Sequence, residues 1–93
     1  MDTDFVDNPE KHRYELRSGD ELVGLLAYRL EGDVIDLAHT EVPEAFSGEG
    51  HAATLASSAL DDARARGLRV VPSCTYVASY VEKHPEYADL VAG

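Results

Sequence analysis

The chain has 93 residues, 44% of them hydrophobic and 28% charged, which is enough for one domain with a single core. It carries 18 carboxylates against 8 lysines and arginines, a formal net charge of -10. Such a charge repels phosphate backbones and anionic bilayers, and no apolar run approaches the roughly 18 residues of a membrane helix. We therefore expect a soluble globular protein that binds neither nucleic acid nor membranes.

The cysteine content and the start of the chain bear on location. The single cysteine, Cys74, cannot form an internal disulfide, so we expect a free thiol in a reducing compartment. Residues 1–5 are acidic and lack the basic and apolar stretches of a secretory signal. Both features predict a cytoplasmic location.

An edge strand of a short open sheet could pair with a second copy, so a homodimer is an alternative to a monomer.

The first half of the chain shows the period of β-strands. Residues 1–11 lack this period and are predicted to be an irregular lead-in to a domain over residues 12–93. The predicted strands, each followed by a turn or by a glycine-containing loop, cover residues 13–17, 22–30 and 34–42. Because the turns are short, the three strands should form an antiparallel meander.

The second half begins with a helical pattern. Small and apolar side chains recur at helical spacing and predict an amphipathic helix over about residues 51–66. Gly67 can adopt the left-handed conformation that ends it. Residues 68–72 are short and β-branched, and a strand that returns to the sheet after a helix pairs in parallel. The predicted fold class is therefore α+β, with a mixed, mostly antiparallel sheet and a central helix crossover.

A second helical stripe follows this strand. It consists of Tyr76, Val77, Tyr80 and Val81, which we assign to the core. The helix should end at His84, because Pro85 disfavours helical geometry in the residue before it. Residues 86–90 could add one more turn, with Pro85 in its first position.

A glycine-rich turn over residues 42–52 connects the third strand to the first helix. Gly48 and Gly50 would let the backbone approach an anion closely, and the free N–H groups and dipole of the first helical turn attract negative charge. The alternative is that the two glycines only shape a tight connection. The spacing fits neither a dinucleotide fingerprint nor a P-loop.

This turn resembles the pyrophosphate-binding signature of the GNAT acetyltransferase superfamily. The signature is Gln or Arg, two residues, Gly, one residue, then Gly or Ala, and it falls here on Ser47, Gly50 and Ala52. Further similarity to small single-domain GNAT-like proteins lies in residues 39–43, 63–67, 71–74 and 84–87, within a resemblance that spans about residues 13–91. The resemblance implies a curved sheet whose strands splay near Val42 and Leu68 to admit the pantetheine arm of acetyl-CoA, the implied co-substrate.

The resemblance also implies which residues bind acetyl-CoA. They are Val42, Ser47, Gly48, Glu49, Gly50, His51 and Ala52. The family usually has a basic or amide side chain where Ser47 stands, and Glu49 places a carboxylate between the two glycines. A carboxylate within about 4–6 Å of a phosphate costs on the order of 1 kcal/mol. We therefore expect the Glu49 side chain to point away from the bound anion.

Three side chains are candidates for catalysis. In the superfamily an amine attacks the thioester directly, which requires a proton acceptor and an oxyanion donor. His39 and Glu41 should project from one face of the third strand, with His39 the first candidate for general base; either could instead be structural or solvated. Cys74, beside a helix N-terminus that would lower its pKa, could accept the acyl group transiently or be a small buried residue.

These observations support two functions of different classes. The first is an acetyl-CoA-dependent N-acetyltransferase that acts on an unidentified amine. The second is a non-catalytic CoA-binding or protein-interaction module that retains the fold, because Ser47 and Glu49 would compromise turnover. The histidines and carboxylates show no metal-ligand spacing, so we predict no metal.

Overall fold

The computed structural model of the chain describes residues 3–92, which form a five-stranded mixed sheet and two α-helices. The strands are β1 (Asp4–Asn8), β2 (Arg13–Ser18), β3 (Glu21–Glu31), β4 (Val34–Glu41) and β5 (Arg69–Val71), and they lie side by side in this order. The helices are α1 (His51–Ala65) and α2 (Thr75–Lys83), and short 3₁₀ helices cover Pro9–Lys11, Glu44–Phe46 and Pro85–Leu90. In this part of the chain no helix is long and apolar enough to cross a bilayer.

Strands β2, β3 and β4 form the antiparallel meander that the side-chain alternation predicts. One face of the meander packs against α1 and carries the fully buried side chains of Tyr14, Leu26 and Leu37. The observed strand ends lie within one residue of the predicted ones. The sheet therefore buries one face, as an antiparallel sheet with alternating side chains should.

The other face of the sheet carries a charged cluster centred on Glu15. Its side chain is 3% exposed and accepts hydrogen bonds from Asn8 Nδ2 (3.1 Å), Arg13 Nε (2.8 Å) and Arg17 Nε (3.0 Å). Burial alone would raise the pKa of Glu15, but these hydrogen bonds together hold the pKa below its ordinary value. Glu15 is therefore a buried carboxylate whose charge is compensated.

The prediction of an irregular lead-in is wrong for residues 4–11. β1 pairs with β2 along its whole length, and Pro9–Lys11 forms a 3₁₀ turn. The strand shows no clear alternation because its buried side is formed by one aromatic ring: Phe5 stacks on Tyr14 with ring centroids 4.9 Å apart. Asp7 adds a polar contact that a hydrophobic pattern cannot reveal, since its Oδ1 accepts from the Tyr28 hydroxyl at 2.6 Å. Residues 1 and 2 lie outside the described part.

Helix α1 and strand β5 form the predicted crossover. The helix buries Leu55, Ala56, Ala59, Leu60 and Ala63 against the sheet. It ends at Ala65 and the chain turns away at Gly67, which has a φ of 70°, while the Leu68 N–H donates to the Ala63 carbonyl at 2.8 Å. β5 then pairs in parallel with β4, so both the left-handed glycine and the mixed sheet are confirmed.

Helix α2 differs from its predicted core stripe at one position. Val77 and Val81 are buried, and Tyr80 packs partly against the core while its ring stacks on His84 at 3.9 Å. Tyr76, however, is 41% exposed, so its assignment to the core is wrong. It lies in the first turn of the helix, where its ring reaches past the core toward the glycine-rich turn.

A bulge in β4 sets the direction of the side chains near its end. Tyr28 pairs with Leu37 and Ala27 pairs with His39, which leaves Ala38 as an extra residue. Such a bulge reverses the alternation beyond it. His39 and Glu41 share one face of the strand, as predicted, and the bulge directs that face away from α1, whereas Thr40 faces Cys74, with 3.3 Å between Oγ1 and Sγ.

Strands β4 and β5 diverge beyond their short parallel contact. Their pairing covers only Val34 to Asp36, after which the Cys74 N–H donates to the Leu37 carbonyl at 2.8 Å. Among residues 3–92, no strand pairs with this side of β4 beyond that point. The structure therefore contains the predicted divergence, with Cys74 at its narrow end.

Candidate functional site

The site begins at the glycine-rich turn between β4 and α1. After the 3₁₀ turn Glu44–Phe46, Gly48 and Gly50 have φ values of 81° and 80°. This left-handed region is costly for residues with a side chain, which explains why glycine stands at both positions. Nothing lies within 4 Å of the place where a Cβ would stand on either glycine. Backbone conformation, and not crowding, therefore requires these glycines.

The main-chain amides of this turn are free to bind a ligand. Within the described residues, the N–H groups of residues 48–53 have no hydrogen-bond acceptor, and the first amide of this region that has one is Thr54, which donates to the Gly50 carbonyl at 3.0 Å. Free amides at a helix N-terminus, together with the helix dipole, attract anions. The turn therefore has the geometry of an anion site made of backbone.

These amides border a recess of about 190 Å³, which we call the amide cleft. The lining residues are Val42, Phe46, Ser47, Gly48, Gly50, His51, Ala52, Ala53 and Tyr76. The cleft lies between the end of β4, the start of α1 and the start of α2. Six of the seven predicted acetyl-CoA residues thus lie around one recess.

The seventh of those residues, Glu49, faces the opposite side of the turn. Its Oε1 lies 3.4 Å from His51 Nε2, and its side chain lines a separate recess with Ser18 and Glu21. The Glu49 side chain therefore does not line the amide cleft.

Ser47 is hydrogen-bonded to the 3₁₀ turn that precedes it. Its Oγ donates to the Glu44 carbonyl at 2.9 Å, and its N–H donates to the same oxygen at 3.1 Å. A hydroxyl has one proton to donate, so Ser47 cannot keep this bond and also donate to a ligand. Ser47 lines the cleft without supplying the donor that a basic or amide side chain would provide.

Cys74 lies at the N-terminus of α2 and is 8% exposed. Burial alone would raise the pKa of its thiol, but hydrogen bonds from the Thr40 hydroxyl and from the backbone N–H groups of Val77 and Tyr76 outweigh that effect, so the pKa lies below its ordinary value. Donors at a helix N-terminus stabilise a thiolate in this way. Cys74 is thus a buried thiol whose neighbours favour the thiolate form.

The structure separates the three predicted catalytic residues into two groups. His39 Nε2 lies 3.4 Å from Glu41 Oε2, and their side chains are 63% and 62% exposed on the face away from α1. Cys74 instead contacts Thr40, which faces the other way. In the described part of the chain, no hydrogen bond joins Cys74 to His39 or Glu41. His39 and Glu41 therefore lie on one face of β4, and Cys74 contacts the other face through Thr40.

Two residues of the site were missed by sequence reasoning. Thr40 was assigned only to a strand face, and its contact with Cys74 depends on the bulge at Ala38, which no local pattern reveals. Tyr76 was assigned to the core. No local pattern in the sequence places it beside the glycine-rich turn, which is distant along the chain. Among residues 3–92, His, Cys, Asp and Glu form no group of three that could hold a metal.

The chain is similar to known proteins over most of its length. Residues 13–90 match the family model for GCN5-related N-acetyl-transferase domains. Protein NATD1 of Homo sapiens is 40% identical over 62 residues, which cover 66% of this chain and 55% of that protein. Protein NATD1 of Danio rerio is 33% identical over 91 residues, which cover 92% of this chain and 83% of that protein. This chain therefore spans little more than half of the human relative's length.

A solved structure has the same fold. The NMR solution structure of a GCN5-like protein from Staphylococcus aureus superposes with a TM-score of 0.72, covering 97% of this chain and 88% of that one. The two sequences are 21% identical. At that identity the likeness establishes the arrangement of strands and helices and leaves the chemistry to the residues described above.

Proposed function

Because the chain belongs to the GCN5-related N-acetyltransferase (GNAT) family, we propose that it binds acetyl-CoA and transfers the acetyl group to an amine. The observation that carries this proposal is the row of free amides at residues 48–53, which borders a cleft beside the diverging strands. Neither the co-substrate nor the acceptor follows from family membership alone.

The pyrophosphate of acetyl-CoA would be bound by the amides of residues 48–53. Backbone donors suit this ligand because the net charge of the protein, -10, opposes any polyanion at long range. Short-range hydrogen bonds and the helix dipole must outweigh that repulsion. Glu49 does not line the cleft, and its carboxylate lies 3.4 Å from His51 Nε2. The exposed ring of Tyr76 supplies an apolar wall on the far side of the cleft.

The pantetheine arm would run along β4 from Val42 toward Thr40. The edge of β4 beyond Leu37 has no strand partner within the described residues, so its backbone groups are available to the amides of the arm. An arm in this position would bring the thioester toward Cys74, where β5 and β4 meet. Val42 lines the cleft at the start of this path.

The transfer requires that an ammonium lose a proton and that its nitrogen attack the thioester. The C–N bond forms while the C–S bond breaks, so the products are an amide, the thiol of CoA and one proton. His39, with Glu41 at 3.4 Å, is our candidate for accepting the first proton. Backbone N–H groups near residues 41–42 are the candidates for stabilising the oxyanion.

Cys74 offers a two-step version of the same reaction. Its thiolate would attack the thioester, displace the CoA thiolate and hold the acetyl group until the amine displaces it from sulfur. The low pKa of the thiol and its contact with Thr40 favour this route. The direct and two-step routes give the same products and differ in whether an acetylated protein forms before the acceptor is added.

One observation favours a second function, a non-catalytic CoA-binding module. The Ser47 hydroxyl is engaged by the Glu44 carbonyl, so the cleft lacks the side-chain donor that the family usually places there. Such a module would bind CoA and release no acetylated product. Acetyl transfer to a panel of amines, measured by mass spectrometry, separates the two functions.

The test of the proposed function is a titration of the ¹⁵N-labelled protein with CoA. We expect the amide signals of residues 48–53 to shift in a saturable way, because their N–H groups would exchange water for phosphate oxygens. Incubation with acetyl-CoA followed by intact mass measurement then reports any acetyl group on Cys74. If the signals of residues 48–53 do not move while the protein remains folded, the proposed function is wrong.

A further inference from the structure

The lysines and arginines of the chain lie away from the amide cleft. None of them is among the residues that line it. They belong to β2, β3, β5, the C-terminal ends of the two α-helices and the 3₁₀ turn Pro9–Lys11. His51 does line the cleft, and its Nε2 lies 3.4 Å from Glu49 Oε1. An anion in the cleft would therefore meet backbone donors and no lysine or arginine side chain.

Most of the guanidinium groups are also held by partners elsewhere in the fold. Glu15 accepts from Arg13 and Arg17. The three arginines that follow α1 or end it contact other groups: Arg64 contacts Asp89, Arg66 contacts Asp62, and Arg69 donates to the Val91 carbonyl. Arg29 pairs across the strands with Asp36, in the half of β4 remote from the cleft. None of these groups could reach the cleft without leaving its present position.

The end of the molecule at which the cleft opens carries mainly negative charge. The end of β2, the start of β3, the end of β4 and the glycine-rich turn meet there, because β3 is antiparallel to both of its neighbours. The exposed carboxylates of these segments, which we call the acidic end, are Asp20, Glu21, Glu41, Glu44 and Glu49. In these segments of the described chain the one guanidinium belongs to Arg17, which is bound to Glu15. A ligand in the cleft is therefore repelled more strongly with each phosphate that it carries.

Coenzyme A carries a phosphate that the free amides would not bind. Those amides suit its diphosphate, whereas the 3′-phosphate on the neighbouring ribose adds about 1.5 to 2 negative charges at pH 7. Arginine and lysine side chains are the groups that compensate such a charge most strongly, and the cleft has neither. We propose that the donor site selects against the 3′-phosphate, so that dephospho-CoA and its acyl thioesters bind more tightly than CoA and its acyl thioesters. The inference rests on the proposed function, since it names the donors that this same site prefers.

The size of the preference depends on ionic strength. Exposed charges interact over a Debye length of about 10 Å at 0.1 M salt and of about 3 Å at 1 M salt. We therefore expect dephospho-CoA to bind about threefold more tightly than CoA in about 0.05 M KCl, and the two Kd values to become equal in about 1 M KCl. The ratio of the two Kd values is the readout, because chloride competes with both ligands for the same amides.

The test is calorimetric titration of the protein with CoA and with dephospho-CoA, which differ only in the 3′-phosphate. Glu44→Lys reverses one exposed charge of the acidic end and should bring the ratio of Kd values close to one at low salt. Its matched control is Glu10→Lys, which changes the net charge by the same amount. Glu10 is also exposed and also lies in a 3₁₀ turn, but at the opposite end of β2, so this variant should keep the threefold preference.

The outcomes separate this inference from the proposed function. If neither ligand shifts the amide signals of residues 48–53, the proposed function is wrong. If both ligands shift those signals but CoA binds as tightly as dephospho-CoA at low salt, or more tightly, only the inference is overturned, because a favourable group must then reach the 3′-phosphate. Equal effects of Glu44→Lys and Glu10→Lys would also overturn it, since the acidic end would then have no special role.

Discussion

Replacement of Gly50 by alanine tests the role of the backbone in the amide cleft. Gly50 has a φ of 80°, and nothing lies within 4 Å of the place where a Cβ would stand. The cost of Gly50→Ala is therefore the left-handed conformation itself, about 1–2 kcal/mol. In the free protein the turn can relax to avoid this cost, and the amides of residues 51–53 would then lose their common direction.

Ligand binding would have to restore the original turn and with it the strain. A penalty of about 1–2 kcal/mol corresponds to a rise in the Kd for CoA of about fivefold to thirtyfold. The matched control is Gly32→Ala, because Gly32 also has a positive φ, 59°, and open space around its Cβ position, but lies in the hairpin at the opposite end of β4.

Calorimetric titration with CoA gives the two Kd values, and urea unfolding gives the two stabilities. We expect Gly32→Ala to lose about 1–2 kcal/mol of stability with unchanged CoA binding, and Gly50→Ala to lose less stability, because its turn relaxes, but to bind CoA more weakly. Equal Kd values for the two variants and the unchanged protein would refute the reasoning. In that case the conformation of the turn would not matter for the ligand.

Three further predictions follow from contacts in the fold. Glu15→Gln should cost about 2–4 kcal/mol in urea unfolding at pH 7, because two partly exposed guanidiniums lose their shared carboxylate, whereas Glu10→Gln should cost nothing measurable. The pKa of Glu15 is lowered in the folded protein, so its contribution is fully present above its unfolded pKa of about 4.3 and is lost as the pH falls through the folded pKa; a variant with the same acid sensitivity as the unchanged protein would contradict this. Alkylation of Cys74 by iodoacetamide should reach half its maximal rate at a pH below that of a free cysteine, and Thr40→Val should move that midpoint upward if the hydroxyl stabilises the thiolate. Gly24→Ala places a Cβ 2.9 Å from a methyl group of Leu55 in α1 and should lower the free energy of unfolding by about 1–3 kcal/mol, measured by thermal unfolding. An unchanged Tm would contradict this prediction.

Much of the fold could be predicted because local and long-range preferences agree in the central elements. The strands of the meander alternate cleanly, and α1 combines a helical stripe with a glycine that ends it. The parallel pairing of β5 then follows from chain direction alone. β1 could not be predicted in this way, because the contacts of Phe5 and Asp7 with tyrosines on other strands stabilise it.

The candidate site also has parts that could be predicted from the sequence and parts that could not. The glycines at 48 and 50 and the free amides after them are local features, and the sequence predicted both. Sequence reasoning could only require that the Glu49 carboxylate avoid a bound anion. Its contact with His51 is seen only in the structure. The contact of Thr40 with Cys74 joins residues 34 positions apart and depends on the register of two strands, which single-sequence periodicity does not contain.

The extra residue in β4 has a consequence for how this site could change. Deletion of Ala38 would restore strict alternation, so the imidazole of His39 and the carboxylate of Glu41 would turn into the hydrophobic core and the Thr40 hydroxyl would turn away from the thiol. The single extra residue therefore determines which face each side chain at the strand end occupies, and Thr40 could not contact Cys74 without it. Point substitutions at these positions can alter one side of the sheet at a time, but a one-residue length change in this strand would exchange the two sides.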